Sequence, residues 1–117
     1  CDNMDEFTLT GPSTVSEIKD GKVTTYEVSP EQFGLSRCKI EELQGGDGTV
    51  NAQITKDILS GKEQGAKRDI VLLNAGAALY IGGKADSIQG GITLAAQTID
   101  SGKATEVLAE LVKLTNA

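Results

Sequence analysis

The apolar positions of this chain change their period near its middle. In the first half they come in short runs. Phe7-Thr8-Leu9 is rich in β-favouring residues and reads as a strand, and Thr10-Gly11-Pro12-Ser13 then breaks it as a turn. Two alternating runs follow, Val15 to Lys19 and Lys22 to Val28, on either side of Asp20-Gly21. That arrangement predicts a hairpin over about residues 14–28, because a type I′ turn needs positive φ at both central positions. Ser29-Pro30-Glu31-Gln32 reads as a helix start: Ser29 as the cap, Pro30 at the first helical position, Gln32 completing a capping box. Gly34 ends that helix after about one turn. Residues 35–48 read as a short extended piece and then a Gly45-Gly46-Asp47-Gly48 loop.

The second half is spaced for helices. Val50, Ile54 and Ile58 share one face, and Ser60-Gly61 supplies a stop. From about Lys67 to Ile81 the chain is apolar on nearly every side, so this helix is expected at the centre of the fold, ended by Gly82-Gly83. Asp86 or Ser87 can cap a third helix carrying Ile88, Ile92, Ala95, Ala96 and Ile99, which Gly102 ends. A last helix carries Val107, Leu108, Leu111 and Leu114. The pattern is that of strands and turns followed by helices, in a chain of 117 residues that fits a single domain (1–117), with a hairpin and three to four C-terminal helices.

Composition sharpens this picture in three ways. Aromatic residues are 3% of the chain, so the core must be built from Ile, Leu, Val and Ala. The net charge of −6, with no stripe of clustered Lys and Arg, speaks against a nucleic-acid partner. No apolar run approaches the ~18 residues of a transmembrane helix, so no membrane partner is expected. Cys1 and Cys38 are too few for a disulfide scaffold, and the absence of His argues against zinc, which leaves a reduced, cytoplasmic setting as the expectation. The opening Cys1-Asp2-Asn3-Met4 reads as cut from something longer, or as a processed terminus.

The chemistry-bearing motifs reduce to one pair of residues. A phosphate-binding Walker loop needs a Gly five positions before Gly-Lys, and Ser16, Lys56, Ala78 and Gln97 stand there instead. The Gly45–Gly48 cluster misses the dinucleotide fingerprint at Asn51. Neither cysteine has a His to activate it, and Cys38 reads as a small, buried or half-buried hydrophobe. Asp5-Glu6 is different, because adjacent carboxylates in a turn could both face a hydrated divalent cation; Mg2+ takes oxygen ligands and keeps several waters. A solvated acidic turn is the competing reading. Asp2 and Asn3 extend the local cluster, and Asn3 tolerates a left-handed turn that would aim the carboxylates.

At these residues the sequence resembles a known family. Met4-Asp5-Glu6-Phe7-Thr8-Leu9-Thr10-Gly11-Pro12 is similar to the D-E…T-G-P segment of anthranilate phosphoribosyltransferases. Arg68-Asp69-Ile70-Val71-Leu72-Leu73-Asn74-Ala75-Gly76-Ala77-Ala78-Leu79-Tyr80 looks like their R-D-x-V-x-L-N-A-A-A-A-L helix, with Gly76 where alanine is usual. Tyr26 to Leu35, Ser60-Gly61, Gly90-Gly91-Ile92 and Ser101-Gly102-Lys103-Ala104 keep the family's order.

The resemblance spans essentially the whole chain. It implies the C-terminal part of a phosphoribosyltransferase/nucleoside phosphorylase-like α/β domain, supplying the final strands of its sheet, from a larger two-domain enzyme. That enzyme would transfer phosphoribosyl from 5-phosphoribosyl 1-diphosphate to anthranilate in tryptophan biosynthesis, with Mg2+ held by Asp5 and Glu6. The family's Gly-rich diphosphate loop, its basic loop and its anthranilate contacts lie earlier in the chain. This portion is therefore expected to be inactive without the N-terminal portion. A homodimer is one assembly left open for the full enzyme. Two other readings remain: a free-standing, non-catalytic scaffold or interaction domain, and a pyrimidine nucleoside phosphorylase-like enzyme, against which the Asp-Glu and Leu-Asn-Ala motifs argue.

Overall fold

The computed structural model describes residues 4–117. Asp20 and Gly21 both adopt positive φ, +50° and +74°, so the turn is the one that Asp-Gly favours. It joins β1 (Ser13–Lys19) to β2 (Lys22–Val28) in an antiparallel register running from Ser13↔Val28 to Lys19↔Lys22. Period-two alternation then divides the ribbon. Val15, Glu17, Tyr26 and Val28 are covered to some degree, whereas Ile18 and Val23, paired across the strands, stay exposed.

A two-stranded ribbon is marginal by itself, and side chains tie this one to the helices. Tyr80 donates its hydroxyl to Glu17 Oε1 (2.5 Å), and Tyr26 donates to Glu17 Oε2 (3.0 Å). Lys19 Nζ reaches the Tyr80 hydroxyl at 3.5 Å and lies 5.7 Å from its ring centroid. These bonds, Tyr80's first and then Tyr26's, hold the Glu17 carboxyl below its ordinary value of 4.5. A depressed carboxylate contributes its stabilisation above the ordinary range and loses it as pH falls through the lowered value. Tyr80→Phe should therefore move the Glu17 titration midpoint back up, read by carboxyl-carbon NMR. Equal midpoints in the two proteins would mean that the Tyr80 bond does not form in solution.

After β2 the chain makes one 3-10 turn, Pro30–Phe33, which Gly34 ends at φ +72°. Gln32 Oε1 accepts from the Ser29 amide (2.6 Å), the reach-back half of the expected box. The expected extended piece and loop contain a short helix instead, α1 (Ile40–Leu43). Glu42 accepts from the Lys39 amide (2.8 Å) and closes that turn. α2 (Gly48–Leu59) begins ahead of the apolar spacing because the Asp47 carboxylate accepts from the Val50 amide. α3 (Ala66–Ile81), α4 (Ile88–Asp100, capped by Ser87 Oγ on the Gly90 amide) and α5 (Lys103–Thr115) follow.

The core gathers Leu9, Ile58, Leu72, Leu73, Ile92, Ala95 and Ile99. α3 and α4 form its most extensive contact, and glycines set how close they come. A Cβ on Gly76 would lie 2.6 Å from the Ile92 amide nitrogen; one on Gly91 would lie 2.7 Å from the Gly76 carbonyl carbon. The helix that replaces an alanine of the family motif by Gly76 thus crosses α4 backbone to backbone.

α3 is central through most of its length but not at its end, where Ala78 is exposed and Ile81 is 82% exposed. Its first turns bury a charge. Arg68 is 6% exposed, pairs with Asp100 through Nη2 (2.9 Å), and leaves Nη1 without a hydrogen-bond partner among the described residues. α5 lies at the surface with Val107, Leu111 and Leu114 exposed along one side. Among the described residues no helix is long and apolar enough to cross a membrane.

Candidate functional site

Phe7-Thr8-Leu9, expected as a strand, is not one. β-propensity needs a neighbouring strand to act on, and the backbone groups here find other partners. Asn74, in the middle of α3, closes on both main-chain groups of Phe7: the Phe7 amide donates to Oδ1 and Nδ2 donates to the Phe7 carbonyl, each at 3.0 Å. The Thr8 amide donates to Ser13 Oγ (3.2 Å), and the Leu9 carbonyl accepts from the Cys38 amide (3.1 Å). Thr8 and Leu9 are 2% and 1% exposed, so this segment is built into the core although it is irregular. With Phe7-Thr8-Leu9 irregular, the sheet among the described residues is the two-stranded hairpin.

Asp5 and Glu6 come immediately before the pinned residues, in a bend, and both are exposed. With Met4, Thr8, Ser13 and Thr14 they line an open depression of about 300 Å³. Asp2 and Asn3, the expected extension of the acidic turn, lie outside the described residues, as does Cys1. Among the described residues no group of three His, Cys, Asp or Glu side chains converges to hold a metal ion. The site therefore offers two carboxylates and an open side. This donor set suits a hard cation that keeps water or takes oxygen ligands from a bound anion, and it does not suit one caged by protein.

Cys38 is half-buried and unpaired, as its expected role as a small hydrophobe requires, and burial pushes its thiol up. It is not set up as a nucleophile. The residue that sequence reasoning missed is Asn74. It stood in the Leu-Asn-Ala motif, and its one local signal was a helix-unfavourable side chain inside an otherwise apolar helix.

The chain matches the family described as "Glycosyl transferase family, a/b domain" over residues 1–105 and belongs to it. It is similar to the anthranilate phosphoribosyltransferase of Citrifermentans bemidjiense, 61% identical over 99% of this chain and 33% of that protein. Its fold is similar to the crystal structure of anthranilate phosphoribosyltransferase from Thermus thermophilus. There the TM-score is 0.88 at 36% identity, covering all of this chain and 34% of that one. A structure of a Saccharomyces cerevisiae anthranilate phosphoribosyltransferase variant with Mg bound gives 0.80 at 27% identity, over 91% of this chain and 31% of that one. The chain thus spans about a third of the length of the relatives it matches.

Proposed function

We propose that this chain is the C-terminal portion of the α/β domain of an anthranilate phosphoribosyltransferase, which moves phosphoribosyl from 5-phosphoribosyl 1-diphosphate to anthranilate and releases diphosphate. The observation that carries the reading is the exposed Asp5–Glu6 pair, projecting from a core-anchored segment in a chain so similar to these enzymes. Asp5 and Glu6 are the residues that would hold Mg2+. Bound there, the ion would supply neutralising charge for a leaving diphosphate. The work of this chain is to bind and aim: two exposed carboxylates that line an open depression, immediately before a segment whose Thr8 and Leu9 are buried. Little covalent chemistry is asked of the protein when the leaving group is stabilised electrostatically.

The reading extends to the substrate cradle, which belongs to the N-terminal portion of the enzyme, and to a cytoplasmic setting. The exposed side of α5 supports a chain that packs against further protein rather than a free-standing scaffold. Val107, Leu111 and Leu114 are each more than half exposed and lie at helical spacing. The 117 residues alone should show no anthranilate consumption with 5-phosphoribosyl 1-diphosphate and Mg2+, and adding the N-terminal portion should restore some, followed by the loss of anthranilate fluorescence. Turnover by the 117 residues alone would overturn this reading.

A further inference from the structure

Asn74 is an expensive residue where it stands. Asparagine inside a helix is unfavourable relative to alanine, because its amide competes for backbone groups. Here that amide is fully used. One Nδ2 hydrogen bond goes back to the Ile70 carbonyl (3.0 Å), within the helix. The other Nδ2 bond and the Oδ1 acceptor take the carbonyl and amide of Phe7, as the backbone of an adjacent strand would. The Phe7 amide belongs to the planar peptide that begins at the Glu6 carbonyl. Fixing its direction fixes a peptide plane that contains the Glu6 Cα, so a single backbone rotation separates that plane from the Glu6 side chain, and Asp5 is the next residue back.

We propose that Asn74 is the positioning residue of the acidic pair: its amide sets the direction in which Asp5 and Glu6 present their carboxylates to a divalent cation. The inference rests on the reading of that pair as the cation site. Its size follows from how groups behind metal ligands act. They restrict ligands to one geometry, and losing them weakens metal binding by about 10–100-fold.

The test uses the full-length protein and Mn2+, a cation of similar ligand preference whose free form is counted by its electron paramagnetic resonance signal. Asn74→Ala should weaken Mn2+ binding by about 10–100-fold while the protein stays folded. Asn74→Asp keeps an oxygen for the Phe7 amide but loses both Nδ2 donors and sets an oxygen against the Phe7 carbonyl, so it should recover only part of that loss. In an Asp5→Asn, Glu6→Gln background, Asn74→Ala should weaken binding no further. Should the alanine protein not fold, Asn74→Gln is read instead; it keeps the amide but carries it one methylene too far, so it too should lose affinity. Folded Asn74→Ala or Asn74→Gln with unchanged affinity, while Asp5→Asn weakens it, overturns the role of Asn74 and leaves the acidic pair standing. Unchanged affinity in the Asp5→Asn, Glu6→Gln protein overturns the acidic pair itself, and the inference with it.

Discussion

Replacing Gly91 by alanine should lower the midpoint of thermal unfolding by roughly 10–15 °C, the largest stability effect expected of any single methyl group in this chain. The cause is steric. Gly91 is buried where α4 crosses α3, and the added carbon would overlap the Gly76 carbonyl and lie 2.9 Å from the Gly76 Cα. Backbone cannot rotate aside as a side chain can, so the two helices must part, and the packing of Leu72, Leu73, Ile92 and Ala95 loosens with them. Overpacking of a close core commonly costs about 1–3 kcal/mol, and a clash against main chain belongs at the upper end. Gly48→Ala is the control: nothing lies within 4 Å of the added carbon at the start of α2, so stability should hold or rise by about 0.5 kcal/mol. Calorimetry on both variants decides the matter. A Gly91→Ala protein that melts with the parent would show that the helices do not meet this closely.

In the full-length protein, Asp5→Asn combined with Glu6→Gln should reduce Mg2+-dependent turnover about 100-fold or more. Both substitutions keep the shape of the side chain and remove its charge. Both positions are exposed, so the change in folding stability should stay within about 0.5 kcal/mol. Loss of turnover without loss of fold separates a cation-binding role from a structural one. The separation is sharpened by titrating Mg2+: rate should be recovered in part by raising the ion, because the remaining oxygens still coordinate, though weakly. If the concentration of Mg2+ giving half-maximal rate is unchanged, the pair is a solvated acidic turn and nothing more.

The parts of the fold that were legible are those whose cause is local. Asp20-Gly21 needs only its own backbone to make the hairpin turn, and Ser87 needs only the Gly90 amide to cap α4. The end of α3 at Gly82-Gly83 is local in the same sense, with Gly83 at φ +67°. What could not be read is what depends on a partner far along the chain. Phe7-Thr8-Leu9 has the residue types of a strand, but its Phe7 backbone is satisfied by a side chain 67 residues away. Arg68 stands at the start of an apolar helix, and it is buried with Nη2 paired to Asp100, at the end of the next helix. The acidic pair was visible as residues and, by resemblance, as a proposed cation site. The bonds of Asn74 to the neighbouring Phe7 backbone were not, since nothing in the spacing of Asn74 says which backbone its amide will find.

The bonds between the hairpin and α3 have an optical consequence. The chain holds no tryptophan and two tyrosines, and both tyrosine hydroxyls end on the two oxygens of one carboxylate, Glu17. Ionised carboxylates that accept from a phenol quench and shift its emission. The tyrosine absorbance and fluorescence of these 117 residues therefore come from a single junction between ribbon and helix. Light absorbed anywhere in this protein's tyrosines reports whether the arm is docked, with no label added.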